Sequence, residues 1–292
     1  MSTSLHAALH ATATQLAGHS DAPRREAELL LEHLTGLSRS QQLINENQLL
    51  DDDQVATLKT LTERRISGEP LAYLLGEQHF WTLRLKVSPE VLIPRPETEL
   101  VVERALHHTS RDFAGAILDL GTGSGAIALA VAQERPTATV VATDQSNTAL
   151  DTARRNAELN QLNNVRFLLS DWLDQVPPRP FFLILSNPPY IANDDPHVEP
   201  AVRQHEPALA LFSGIDGLDA IRRIVQSAPQ FLADQGWLVL EHGWQQAAAV
   251  RELLESTGFS GVASHADLAG HLRVTEGQWP GTSLPTQHHS PP

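Results

Sequence analysis

Apolar residues recur at helical spacing through the first quarter of the chain. Leu5, Leu9 and Leu16 lie on one face of a first helix. Asp21 and Pro23 predict a capped helix start, Leu29, Leu30, Leu31 and Leu34 follow at helical intervals, and Gly36 supplies the stop. Asp51, Asp52 and Asp53 can cap another helix whose face carries Val55, Leu58, Leu61 and Ile66, before Gly68 and Pro70 end it. Residues 1–75 are therefore expected to form a small helical bundle.

The period changes near Gly76. His79-Phe80-Trp81 and Leu83-Arg84-Leu85-Lys86-Val87 alternate, which predicts a linking β-hairpin within residues 76–96. Leu92-Ile93-Pro94-Arg95-Pro96-Glu97-Thr98-Glu99 follows. Its prolines bracket Arg95 and make a stiff extended turn, and Thr98 or Glu97 can begin a helix carrying Leu100, Val101 and Leu106.

Over residues 97–279 short apolar runs alternate with helical segments. Ala116–Leu120, Ala138–Thr143, Val165–Leu169 and Phe182–Ser186 read as buried parallel strands, with helices at Ala126–Glu134 and Asn147–Asn160. A helix at Leu218–Leu232, a strand at Trp237–Glu241, a helix at Gln245–Ser256 and strand-like ends near Gly261–His265 and Leu272–Thr275 complete the series. Repeated βα units predict an α/β fold, a doubly wound Rossmann-like sheet with right-handed crossovers. Residues 280–292 are rich in Pro, Ser, Thr and His and are expected to be a disordered tail.

Composition narrows the chemistry. No cysteine is present, which excludes disulfides and thiolate metal sites. No apolar run approaches the ~20 residues of a membrane span, and the first residues lack a basic leader, so a cytoplasmic protein is expected. The net charge of −14 opposes phosphate backbones, so direct nucleic-acid binding is not expected. It is neutral or favourable toward a basic protein partner, although solubility alone also accounts for it. His6 and His10 stand four apart on a helix without a metal-binding motif around them and read as surface histidines.

Ile117-Leu118-Asp119-Leu120 runs into Gly121-Thr122-Gly123-Ser124-Gly125, a strand, a glycine turn and a helix start. Such a turn brings backbone N–H groups close to a ligand. Asp144 ends the next strand about 20 residues on, where an acid can bind ribose hydroxyls. Gly121, Gly123 and Ala126 also satisfy the dinucleotide fingerprint, whereas Gly121, Gly123 and Gly125 form the tighter spacing suited to a cofactor without a pyrophosphate. Asp171 and Trp172 follow the third strand; Trp172 could pack an adenine face and Asp171 could accept from its amino group. A core indole with a capping aspartate explains those two residues equally well.

Asn187-Pro188-Pro189-Tyr190 ends the fourth strand and is the most specific feature. The prolines stiffen the backbone. The Asn187 side-chain carbonyl and the Pro188 carbonyl can then serve as fixed acceptors, with Tyr190 as an aromatic wall. An amide or arylamine nitrogen is a poor nucleophile because its lone pair is delocalised. Two acceptors on its N–H bonds favour a pyramidal nitrogen aimed at an electrophilic methyl, so the contribution is positioning and preorganised electrostatics.

These motifs, with Gly68-Glu69-Pro70-Leu71-Ala72-Tyr73 and the Ile93–Glu99 stretch, resemble the release-factor glutamine methyltransferases, the PrmC or HemK family, over nearly the whole chain. The Ile93–Glu99 stretch discriminates, because Asn-Pro-Pro-Tyr alone also occurs in DNA adenine and rRNA guanine methyltransferases. The resemblance implies a class I methyltransferase sheet behind a helical N-terminal domain. It implies S-adenosylmethionine as cofactor, and as partner and substrate the Gly-Gly-Gln glutamine of bacterial class I peptide chain release factors. It implies that Gly121 to Gly125, Asp144, Trp172 and Asn187 line the cofactor site and that Asn187 to Tyr190 hold the glutamine. The helical domain is divergent, and the stretch beyond Gly281 matches no part of the family pattern. A ribosomal-protein glutamine methyltransferase, a nucleic-acid amine methyltransferase, an NAD-dependent oxidoreductase and a non-catalytic binding module are the alternatives. The oxidoreductase reading leaves Asn187–Tyr190 without a role, and the binding-module reading leaves both Asn187 and Asp144 without one.

Overall fold

The computed structural model describes residues 3–281, so the tail expected at 280–292 lies, beyond Gly281, outside the described residues. The described residues form two compact units: residues 3–77 with Glu199–His205, and Gln78–Val198 with residues 206–281.

In the first unit, β1 (Thr3–Ser4) leads into α1 (Leu5–Leu16), α2 (Pro23–Thr35) and α3 (Arg39–Ile44); β2 (Leu49–Leu50), α4 (Asp52–Ile66) and α5 (Leu71–Leu75) follow. β2 pairs antiparallel with β1. Leu5, Leu16, Leu30, Leu31, Leu58 and Leu61 meet in the core, as the helical spacing requires. Asp51 caps α4 in a reciprocal box with Gln54. Asp21 does not cap α2. Ala22 occupies that position, and alanine has no side-chain acceptor; Pro23, which has no N–H, opens the helix, and the Ser20 hydroxyl accepts from Ala22 N–H at 3.0 Å. Glu28 is buried on α2 and faces Arg24, Arg25 and Arg39, so its charge is compensated within the bundle.

β3 (Glu77–Phe80), which starts at the last residue of the first stretch, and β4 (Leu83–Lys86) of the second unit pair as a two-stranded sheet. A 3₁₀ turn at Pro96–Thr98 opens α6 (Glu99–His108). Then come β5 (Ala116–Leu120), α7 (Ala126–Glu134), β6 (Thr139–Asp144), α8 (Asn147–Leu159), β7 (Val165–Leu169) and β8 (Phe181–Ser186). α9 (Pro200–His205) falls in the helical unit, and α10 (Ala208–Leu211), α11 (Asp219–Ser227), β9 (Leu232–Glu241), α12 (Ala247–Thr257), β10 (Ser260–Ala266) and β11 (Leu272–Gln278) return to the second. The helix expected to run to Leu232 stops at Ser227, where Pro229 sits in a 3₁₀ turn.

The strands form one seven-stranded sheet in the order β10-β11-β9-β8-β5-β6-β7. β5 to β9 are parallel, and β11 runs antiparallel to both of its neighbours. Successive β5 residues feed opposite faces. Ile117 packs with Val101, Ile127 and Val140, and Leu118 with Ile184, Ile221 and Leu254.

Candidate active site

The chain order reverses at β5. It proceeds outward through β6 and β7, then crosses back to β8 on the other side of β5. A crevice opens at the carboxyl ends of strands at such a switch point.

The glycine turn after β5 is tied down from both sides. Gly121, Gly123 and Gly125 all take positive φ, between 55° and 89°, the left-handed region in which a side chain is strained. Thr122 N–H donates to the Thr143 carbonyl at 2.8 Å. The Thr122 hydroxyl donates to Asp119 Oδ2 at 2.6 Å, and Ala128 N–H in the first turn of α7 donates to the same oxygen at 3.2 Å. Asp119 is fully buried; burial pushes its carboxyl up to about 7 against those two hydrogen bonds. The sequence motifs give Asp119 no role, although an acid inside an apolar strand run is a legible signal. Across the turn, Gly123 N–H donates to Asp144 Oδ2 at 2.9 Å and Ser146 N–H to Oδ1 at 2.9 Å. Burial raises the Asp144 pKa above the ordinary aspartate value.

A cleft lies over that turn. Gly121, Gly123 and Asp144 form one wall; Ser170, Asp171 and Trp172 form another. Asn187 and Pro189 also line it, together with Glu90 to Leu92, Pro207 and Leu209. A Cβ on Gly121 would meet the Trp172 ring at 3.4 Å, whereas one on Gly123 would meet nothing within 4 Å. Trp172 itself adopts a φ of 51°, and the Ser170 hydroxyl donates to its carbonyl at 2.9 Å. Asp171 also lines the cleft, but its Oδ2 accepts from Arg223 at 2.8 Å. Thr122 and Ser124 are buried beneath the turn. Neither these two nor Gly125, Pro188 and Tyr190 are among the residues lining the cleft.

The Asn-Pro-Pro-Tyr corner is fastened at every residue that carries a polar side chain. Beneath it, the Ser186 hydroxyl donates to the Leu120 carbonyl at 2.7 Å, joining β8 to β5. Asn187 Nδ2 donates to the Thr98 hydroxyl at 3.0 Å. The Tyr190 hydroxyl donates to Glu241 Oε1 at 3.2 Å, and its carbonyl accepts from Gln246 Nε2 at 3.0 Å. Burial beside Glu241 pushes the Tyr190 phenol well above its usual range, so it stays a hydrogen-bond donor. Arg95 pairs with the buried Glu206, which also accepts from Ile93 N–H at 3.4 Å and so folds the proline-bracketed turn against the segment after the corner. The sequence places Thr98 at a helix start and Glu241 at the end of a strand; the structure brings both to the corner.

A single antiparallel strand, β11, set between β9 and the edge strand β10, distinguishes this sheet from an all-parallel dinucleotide-binding one. With a cleft over the glycine turn that Asn187 also lines, the fold defines a class I methyltransferase. Comparison with known proteins agrees. Residues 7–76 match the PrmC N-terminal domain and residues 98–205 the methyltransferase small domain. The release factor glutamine methyltransferase of Vibrio cholerae is 44% identical over 281 residues, covering 96% of this chain and 98% of that one. That of Yersinia pestis is 48% identical over 261 residues, covering 89% and 94%. A methyltransferase from Pyrococcus furiosus shares the fold, with a TM-score of 0.52 at 20% identity over 69% of this chain and 90% of that one. The chain belongs to the release factor glutamine methyltransferase family. Among the described residues, no helix is long and apolar enough to cross a membrane.

Proposed function

We propose that this enzyme transfers a methyl group from S-adenosylmethionine to the side-chain amide nitrogen of the Gly-Gly-Gln glutamine in class I peptide chain release factors, in the cytoplasm. The residues of the cleft suit that cofactor. Asp144 offers a buried carboxylate for ribose hydroxyls, Trp172 an indole face for adenine, and the open surface at Gly123 lets the backbone approach closely. Thr122, Ser124 and Gly125 support this wall from beneath. When bound, the cofactor supplies an electrophilic sulfonium methyl.

The observation that carries the reading is the orientation of Asn187. Its Nδ2 is committed to Thr98, which leaves Oδ1 to accept an N–H of the incoming amide. Pro188 and Pro189 hold the backbone of the corner, and its main-chain carbonyl at Pro188 is the second acceptor. Tyr190, anchored at hydroxyl and carbonyl, keeps the corner from shifting. With its N–H bonds held, the amide nitrogen can direct its lone pair at the methyl. It sheds one proton as it gains the methyl group, so no strong base is required.

The test is incubation with labelled S-adenosylmethionine and an unmodified release factor, followed by peptide mass spectrometry. A methyl on the Gly-Gly-Gln glutamine is expected. Label on a ribosomal-protein glutamine or on a nucleic acid, and none on the release factor, would overturn the substrate.

A further inference from the structure

Asparagine has a donor end and an acceptor end of nearly the same shape, so its amide fits either way round unless a neighbour decides. At Asn187 the choice matters. With Nδ2 on Thr98, Oδ1 is free for a substrate N–H; reversed, an NH₂ group would confront that N–H, donor against donor. Thr98 cannot decide by itself, because its hydroxyl both donates and accepts.

What lies behind Thr98 can decide. Thr98 occupies the N-cap position of α6 yet makes no capping bond with its side chain. Its hydroxyl is among the groups that favour the charged form of the Glu241 carboxylate. Glu241 is 1% exposed at the end of β9. Its Oε1 accepts from Tyr190, and among the described residues its Oε2 has no hydrogen-bond partner, so it can take the one hydrogen Thr98 carries. Once that hydrogen points at a carboxylate, the Thr98 oxygen can only accept, and only the NH₂ of Asn187 can donate to it.

We infer that Glu241 is a positioning residue: through Thr98 its carboxylate fixes which end of the Asn187 amide faces the cleft, while it anchors Tyr190 directly. This rests on the glutamine-methylation reading above. A neutral group at 241 carries a hydrogen of its own, can donate to Thr98, and releases the Thr98 hydrogen toward Asn187. The amide is then free to turn over. Burial pushes the Glu241 carboxyl up to about 7, so this happens within an accessible pH range. The other charged or titratable groups acting on it are Arg273 on β11, which favours the carboxylate, Glu97 in the turn before α6, which opposes it, and Tyr190.

The experiment compares the wild type with Glu241→Gln, Thr98→Val, Thr98→Ser and the Glu241→Gln/Thr98→Val double variant. The readouts are kcat and KM for an unmodified release factor, the pH profile of kcat, and cofactor affinity by calorimetry. Glu241→Gln is expected to lower kcat by roughly ten- to hundred-fold, with KM and cofactor affinity within about two-fold. Wild-type kcat should rise with pH through about 7, because the carboxylate is the orienting form, and Glu241→Gln should lose that rise. Thr98→Val should resemble Glu241→Gln, Thr98→Ser should restore most of the activity, and the double variant should be no worse than Thr98→Val. Wild-type kcat in Glu241→Gln, or additive losses in the double variant, would overturn the inference. If Glu241→Gln fails to fold, the Thr98 pair decides: a serine no better than valine sinks it. A wild type that places no methyl on the glutamine would sink the functional reading first and this one with it.

Discussion

The backbone N–H of Gly123 donates to Oδ2 of Asp144 at 2.9 Å, so the turn after β5 is fastened to the acid that ends β6. One carboxylate thus shapes the glycine wall of the cleft and faces into it. Asp144→Ala is expected to weaken S-adenosylmethionine binding by roughly ten- to hundred-fold, the loss of one or two hydrogen bonds to a charged group. Titration calorimetry measures this directly. Unchanged affinity would remove Asp144 from the cofactor site.

Asn187 lines the same cleft, and its hydrogen bond to Thr98 joins the residue after β8 to the turn before α6. Asn187→Ala removes the acceptor but leaves the Asp144 wall intact. Turnover should fall by about a hundred-fold or more, in the range seen for losing a preorganised hydrogen-bonding group at a reacting centre. Cofactor affinity should change by no more than about three-fold. Parallel losses in both quantities would show that Asn187 serves cofactor binding and not the amide.

Much of this arrangement was legible because it is local. The glycine turn, Asp144 and Asn187–Tyr190 all stand at strand ends, and a run such as Phe182–Ser186 announces both the strand and where it stops. Periodicity likewise identified the buried faces of α1, α2 and α4, since side chains that share a face recur at fixed intervals. What escaped was long-range. Thr98 sits where a helix cap belongs, and nothing in its neighbours says that its hydroxyl serves a residue on β8. Glu241 ends an apolar strand, and nothing in its neighbours says that its side chain is buried and accepts from Tyr190. Glu199–His205 joins the helical unit despite lying between stretches of the other, and no local pattern marks that excursion. Asp21 shows the limit of a one-residue pattern: the helix starts one residue later than a cap at Asp21 needs, with Ala22 at the N-cap.

The anchoring of Tyr190 supplies a test by backbone. Gly217 has a φ of 77°, and a Cβ there would stand 2.2 Å from the Tyr190 carbonyl oxygen and 2.8 Å from Gln246 Nε2. The first is a main-chain atom, so relief requires moving the corner itself. Gly217→Ala is expected to cost about 2 kcal/mol or more of stability, combining the left-handed backbone with the clash. It should also lower kcat in enzyme held well below its unfolding midpoint, since the Gln246 bond that fixes Tyr190 is displaced. Denaturant titration and initial rates check both, and wild-type values in each would mean the corner tolerates movement.

Asp119 gives the stability of this fold a pH dependence whose sign can be worked out. Its carboxyl sits at about 7 in the folded protein, against about 4 in an unfolded chain, because burial disfavours the charge. The folded state therefore holds a proton that the unfolded state releases first. The stabilisation is fully present below the unfolded value and is lost as pH rises through the folded one. Asp119→Asn keeps an acceptor oxygen for Thr122 and Ala128 but cannot ionise. The stability of the wild type relative to Asp119→Asn should consequently decline from about pH 4 to about pH 7 and level off above that. Urea titrations of the two proteins at several pH values measure that difference, and the many groups they share cancel from it. A difference that does not vary with pH would show that Asp119 ionises in the folded protein as it does in the unfolded chain, and that its burial is compensated by more than the two hydrogen bonds it accepts.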